Sequence, residues 1–182
     1  TTEFSGGFFA GLMRRLFGGE SLFVNVFQNR SRSPAELVLT QGSIGDIEVL
    51  QLKPGEALCF QPGAYIAHAG SVNMTVHWAG FSSLFAGEGL FKLKLVGPGL
   101  VLFGAYGGIS QRQVKGELVV DNGHLVAYDP KLSFNLRLSG GLLKSVTSGE
   151  GLINRLQGYG TIYVQSRSLS GLVRFLRPKV RN

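Results

Sequence analysis

Cysteine is all but missing from this sequence. Cys59 is the one thiol in 182 residues, so no disulfide can close within the chain and no thiolate zinc site can be assembled from it. Charge is scarce as well: 16% of residues are charged, well under the usual quarter, and mean hydropathy is +0.17. So apolar a chain has ample surface to offset chain entropy, which excludes a disordered class. Proline falls to 6 residues, which argues against a flexible low-complexity chain. No window approaches the roughly 18 uncharged apolar residues of a membrane-spanning helix. Thr1-Thr2-Glu3 lacks the basic start of a signal peptide, and no small-residue cleavage site follows it. The zinc-protease HExxH, the G-x-S-x-G nucleophile elbow, the phosphate-cradling G-x-x-x-x-G-K-[ST] loop and the dinucleotide G-x-G-x-x-G are all absent.

Glycine, in contrast, is abundant at 27 residues, about twice its usual share. Set among short apolar runs in a sequence that is 44% hydrophobic, it points to many turns and bulges and so to an all-β domain. The length suits a single domain over 1–182. The net charge of +7 permits nucleic acid, an anionic membrane surface or an acidic partner, and selects none of them. Few charges and much apolar surface also suggest a homo-oligomer. Cys59 lies in Ala57-Leu58-Cys59-Phe60, which reads as a buried, inert thiol suited to a reducing, cytoplasmic compartment.

The most informative feature is repetition. A Gly-Glu-small-Leu-apolar motif occurs as Gly19-Glu20-Ser21-Leu22-Phe23, Gly87-Glu88-Gly89-Leu90-Phe91 and Gly149-Glu150-Gly151-Leu152-Ile153. Paired glycines follow the second and third copies, Gly97-Pro98-Gly99 and Gly158-Tyr159-Gly160, and are expected to form tight turns between strands. Upstream, Pro62-Gly63-Ala64-Tyr65-Ile66-Ala67 aligns with Asn122-Gly123-His124-Leu125-Val126-Ala127. These landmarks divide the chain into three imperfect units of about 60 residues, 1–52, 53–114 and 115–177. The first is cut short, and its missing landmark is expected before residue 1.

Strands are expected at Leu22–Gln28, Ala35–Gln41 and Asp46–Leu52, and Asp121-Asn122-Gly123 is a turn signal. Phe8, Phe9, Leu12, Met13, Leu16 and Phe17 share one helical face, with Arg14 and Arg15 off it. Trp78, Phe81, Leu84 and Phe85 stand at the same place in the second copy, and Leu142, Leu143 and Val146 in the third. A terminal helix is expected from Ser168, its cap, to Pro178, its end.

Candidates for chemistry are few. His68 and His77 fall in neighbouring expected strands and could meet; His124 stands apart. The reading adopted for them is ordinary hydrogen bonding, with no metal, cofactor or catalytic residue assigned. Glu20, Glu88 and Glu150 could form a carboxylate ring for a cation. A glutamate bonding backbone N–H groups explains better why the acid travels with the turn. Arg14, Arg15, Arg30 and Arg32 near the start, and Arg167, Arg174, Arg177, Lys179 and Arg181 near the end, could meet nucleic acid or an anionic membrane, or form a solvated basic surface.

The stretch Phe8-Phe9 through Arg14-Arg15-Leu16-Phe17-Gly18-Gly19-Glu20-Ser21-Leu22-Phe23 resembles a bacterial family of unknown function whose eukaryotic members are the "altered inheritance of mitochondria" proteins. Gly104-Ala105-Tyr106-Gly107-Gly108-Ile109, Val119-Val120-Asp121-Asn122-Gly123-His124-Leu125-Val126-Ala127 and Gly149-Glu150-Gly151-Leu152 resemble it in the same order. The resemblance implies a β-sandwich of the kind grouped with the tryptophan RNA-binding attenuation protein (TRAP-like), a short double-stranded β-helix. It further implies self-association as a trimer, no enzymatic activity, and further N-terminal strands. The expected role is a non-enzymatic scaffold or interaction module. The alternatives are an RNA-binding module and a peripheral membrane organiser, and the mitochondrial members make a mitochondrial location the alternative to a bacterial cytoplasm.

Overall fold

The computed structural model describes residues 2–3, 24–61, 63–78, 91–138 and 152–180. The Gly-Glu pairs of the three motifs with Glu20, Glu88 and Glu150, the Phe8–Phe17 face with Arg14 and Arg15, and its counterparts from 81 to 85 and 142 to 146 lie outside the described residues. The chain divides into two compact units, residues 1–40 and 41–182.

In the first unit, β1 (Thr2–Glu3) pairs antiparallel with β2 (Val24–Asn25). The strand expected over Leu22–Gln28 shrinks to β2. The strand expected over Ala35–Gln41 is not formed: Leu37 and Val38 are exposed, and no ladder reaches them among the described residues. A strand needs a partner for its backbone groups, and an apolar run alone does not supply one. Between these segments the Asn29 carboxamide closes a local turn, accepting from Ser31 N at 2.9 Å and donating to Ser33 O at 2.9 Å.

The second unit is built from strands. They are β3 (Ile47–Leu52), β4 (Ala57–Phe60), β5 (Tyr65–Gly70), β6 (Asn73–Trp78), β7 (Phe91–Val96), β8 (Gly99–Gly104), β9 (Ile109–Asp121), β10 (Leu125–Tyr128), β11 (Ser133–Leu138) and β12 (Leu152–Gln165). A 3-10 turn, Asn122–His124, joins β9 to β10, and α1 (Leu169–Val180) follows β12. One sheet runs β3-β8-β5; the other runs β11-β12-β10-β4-β7-β6, with β9 along the remaining side of β12. Among the described residues the chain is all-β with one terminal helix, as its glycine-punctuated apolar runs lead one to expect.

The ladders of residues 47–104 have counterparts about 60 positions on. Ile47↔Gly104 of β3–β8 corresponds to Ile109↔Gln165 of β9–β12, and Ala57↔Val96 of β4–β7 to Glu117↔Gln157. Asn73↔Val96 and Trp78↔Phe91 of β6–β7 correspond to Ser133↔Gln157 and Leu138↔Leu152 of β11–β12. The register slips between Tyr65 and Ala67 in β5, and at the matching place between Leu125 and Ala127 in β10. Thus β9 stands where β3 and β4 stand together, and β12 where β7 and β8 do.

The second glycine pair is the main correction. Gly158-Tyr159-Gly160 is no turn but the middle of the 14-residue β12, opposite Gly116 in the middle of β9. Gly97-Pro98 separates β7 from β8 where the chain leaves one sheet for the other. At Gly97-Pro98 the chain changes sheets, whereas β12 and β9 run through their glycines as one continuous ladder. Gly116 and Gly158 face each other at φ +95° and +121°, a backbone that side-chain-bearing residues resist.

Two cores result. Leu52, Leu58, Phe60, Leu95, Val101 and Phe103 fill the first, joined by Ala127 of β10 and Tyr163 of β12. Phe103 sits at its centre, 5.3 Å from the Phe60 ring and 5.1 Å edge-on from Tyr163. The second holds Cys59, Val114, Leu125, Tyr128, Leu132, Leu156 and Ile162, so Cys59 is buried as its apolar setting implied. The terminal helix is capped by Ser168, whose Oγ accepts from Gly171 N at 3.1 Å. It runs through Pro178 to Val180, where Pro178 was expected to end it. Residues 173–180 are all exposed, so water can take over the carbonyl bond that proline cannot make.

Candidate functional site

Among the described residues the chemistry-bearing side chains do not converge. Tyr65 and His68 are three apart in β5, and the register slip between them brings the phenol to within 2.8 Å of His68 Nδ1. Burial pushes the Tyr65 phenol up and the His68 imidazole down, which favours the neutral form of each. His77 lies on β6, which is not in the sheet that holds β5, so the expected meeting of His68 and His77 does not rest on adjacent strands. The His77 side chain lies outside the described residues. His124 Nδ1 donates to Gln165 O at 2.8 Å. No group of three His, Cys, Asp or Glu side chains able to hold a metal occurs among the described residues.

An open groove of about 390 Å³ lies beneath α1, lined by Tyr106, His124, Ser166, Arg167, Leu172 and Phe175 among others. Its floor is held by close backbone approach. Asp46 N donates to Gly107 O and Gly107 N to Ile44 O, each at 2.9 Å; Ser166 N donates to Gly108 O at 2.9 Å. Gly107 has φ +82°, and a Cβ there would run into Ser166 Oγ, so this motif has a packing reason for its glycine. Gln165 latches the groove: its Oε1 accepts from Tyr106 N and its Nε2 donates to Gly123 O, both at 2.8 Å. The Arg167 guanidinium lies over the Tyr106 ring at 6.0 Å. The expected turn at Asp121-Asn122-Gly123 is present. Asp121 Oδ1 accepts from Gly123 N at 2.9 Å, and fully buried Asn154 donates to Asn122 Oδ1 at 3.0 Å. Gln165, Tyr106 and Ser166 carry no sequence signal for these roles, because their partners come from segments about 40 to 60 positions away.

Basic side chains gather at the C-terminal end. Arg174, Arg177 and Lys179 lie on α1, and Lys179 Nζ stands 4.0 Å from the Phe175 ring centre. Arg30 and Arg32 are exposed in the first unit, and Arg181 lies outside the described residues. Arg155 of β12 pairs with Glu117 of β9 at 2.6 Å, which holds the guanidinium above its usual range chiefly through that hydrogen bond. The pair is exposed and contributes little to stability.

The signature of the mitochondrial biogenesis family AIM24 matches residues 1–167. The chain belongs to the AIM24 family. It is 32% identical over 159 residues to an uncharacterized protein of Streptococcus pyogenes serotype M6, covering 86% of this chain and 63% of that one. It also resembles the crystal structure of a Streptococcus pyogenes structural-genomics protein, at 28% identity and a TM-score of 0.66, over 76% of this chain and 62% of that chain. This AIM24 chain therefore spans under two thirds of the length of both relatives. No helix among its described residues is long and apolar enough to cross a membrane.

Proposed function

We propose that this AIM24 chain is a non-enzymatic, self-associating interaction module, a trimer working in the bacterial cytoplasm. The observation that carries the reading is apolar surface left exposed on regular strands: Ile47 and Val49 of β3, Leu100 of β8 and Val119 of β9 are each at least 40% exposed. Scattered exposed apolar residues are ordinary, but here Val49 and Leu102 are cross-strand partners and Leu100 lies two along, so the outer face of the β3-β8-β5 sheet carries them together. Committed histidines support the non-enzymatic part, since His68 is bonded to the Tyr65 phenol and His124 to the Gln165 carbonyl. The matched ladders support reading the fold as repeats of a TRAP-like unit, and repeated units lend themselves to cyclic closure. Light scattering on the purified chain is expected to give a mass near three times 19.6 kDa. A monomer at micromolar concentration would overturn the proposal.

A second reading is favoured by α1. Leu169, Val173, Leu176 and Val180 form one stripe and are all exposed, with Arg177 and Lys179 on either side and no acid in the helix. That is the pattern of a helix lying in an anionic membrane surface. On this reading the chain floats with anionic liposomes, and Val173→Asp with Leu176→Asp abolishes flotation while the strands melt unchanged. Absence of flotation by the unaltered chain removes the reading.

A further inference from the structure

We propose that copies of this chain join head to tail by repeating, between molecules, the junction that β4 makes with β10 inside one molecule. The inference rests on the self-association proposed above and names its surface. Within the chain, the outer edge of β4 pairs with β10 as Cys59↔Tyr128 and Phe60↔Ala127, and Gln61 N donates to Val126 O at 2.9 Å. Cys59, Phe60, Gln61 and all four residues of β10 are buried by this arrangement. The junction also carries one sheet face into the neighbouring core, for Ala127 and Tyr163 complete the core around Phe103.

The ladder correspondence places Val119, Val120 and Asp121 of β9 where Cys59, Phe60 and Gln61 stand. It places Tyr65, Ile66, Ala67 and His68 of β5 where β10 stands. Among the described residues, β9 pairs with β12 alone and β5 with β8 alone, so neither of these outer edges has a strand against it. The residue chemistry of a junction is kept, yet its burial is not: Val119 is 50% exposed and the four β5 residues are half-buried. An open edge with β-branched side chains invites another strand. The faces match in the same way. Leu102 and Ala67, counterparts of Tyr163 and Ala127, lie on the outer sheet face beside exposed Val49 and Leu100. Leu118 and Val120, counterparts of buried Leu58 and Phe60, are only partly covered. One chain thus carries both halves of the junction at different places. The occupant of each edge is a second copy, because β5 is the strand whose counterpart already fits that edge.

The register that follows is Val119 of one copy opposite His68 of the next, and Val120 opposite Ala67. The contact is heterologous, so it closes into a ring when the rotation between copies permits. Two chains are made in a Cys59→Ala background, one with Val119→Cys and the other with His68→Cys, then mixed and oxidised. A disulfide-linked pair is expected from the mixture and from neither chain alone; Val120→Cys with Ala67→Cys should behave alike. Separately, Val119→Lys is expected to shift the scattering mass to the monomer with the melting temperature held within a few degrees. An oligomer by scattering that yields neither mixed disulfide, or whose mass survives Val119→Lys, overturns this edge while leaving self-association standing. A monomeric unaltered chain overturns both.

Discussion

Replacing Phe103 by alanine is expected to cost about 3–5 kcal/mol, the usual range for emptying an aromatic site in a packed core. Phe103 has no exposed surface, and it is the contact between two sheets: its ring, from β8, meets Phe60 of β4 and Tyr163 of β12. Neither ring can follow the lost volume without leaving its ladder, so the cavity stays open. The melting temperature should fall by roughly 10 °C or more. Phe103→Leu, which refills much of the space, should recover most of it. Thermal unfolding followed by circular dichroism checks both, and a Phe103→Ala chain within 2–4 °C of the unaltered one, about 1 kcal/mol, would mean that the core collapses readily at this point.

The second large effect is expected at Gly99. Its φ is +152°, and a Cβ there would run into Ala69 O and stand 2.6 Å from Val72 Cγ2. Gly99 pairs with Leu52 of β3 on one side and Gly70 of β5 on the other, so the neighbouring backbone is held by two ladders and cannot step back. Gly99→Ala is therefore expected to cost more than the roughly 1–3 kcal/mol of backbone strain alone. Gly116 is the control. Its φ is +95°, yet nothing lies within 4 Å of the added Cβ, so Gly116→Ala carries the strain without the collision. Urea midpoints should fall much further for Gly99→Ala than for Gly116→Ala. Equal midpoints would show that steric room is not what keeps glycine at Gly99.

Several features were legible in the residues. Glu48-Val49-Leu50-Gln51-Leu52 reads as a half-exposed strand, and the structure makes it one, with Leu52 buried and Gln51 exposed. Ser168 reads as a cap and caps. Cys59, set between Leu58 and Phe60, is buried. These are local matters, decided by side-chain alternation, by a hydroxyl within reach of a backbone N–H three residues on, or by apolar neighbours. The groove beneath α1 was not legible. Tyr106, Gln165 and Ser166 meet through backbone groups brought from distant segments, and the motif around Tyr106 does not say which segments those are.

The sequence by itself determined that this chain is all-β, that it closes without disulfides, and that it belongs with the AIM24 proteins, because these depend on composition, periodicity and ordered motifs. Only the tertiary structure decided what the glycine pairs do. A Gly-x-Gly can reverse a chain or let a strand run on, and the choice falls to the strands on either side: Gly158 sits opposite Gly116, and both strands run straight on. It likewise decided that Tyr65 bonds His68, since a register slip is needed to bring residues three apart to one another. The fate of the edges follows the same rule. Phe60 and Val120 hold matching places in their ladders, yet Phe60 is fully buried and Val120 only partly, because burial is conferred by a neighbouring strand and not by the residue's own neighbours in sequence.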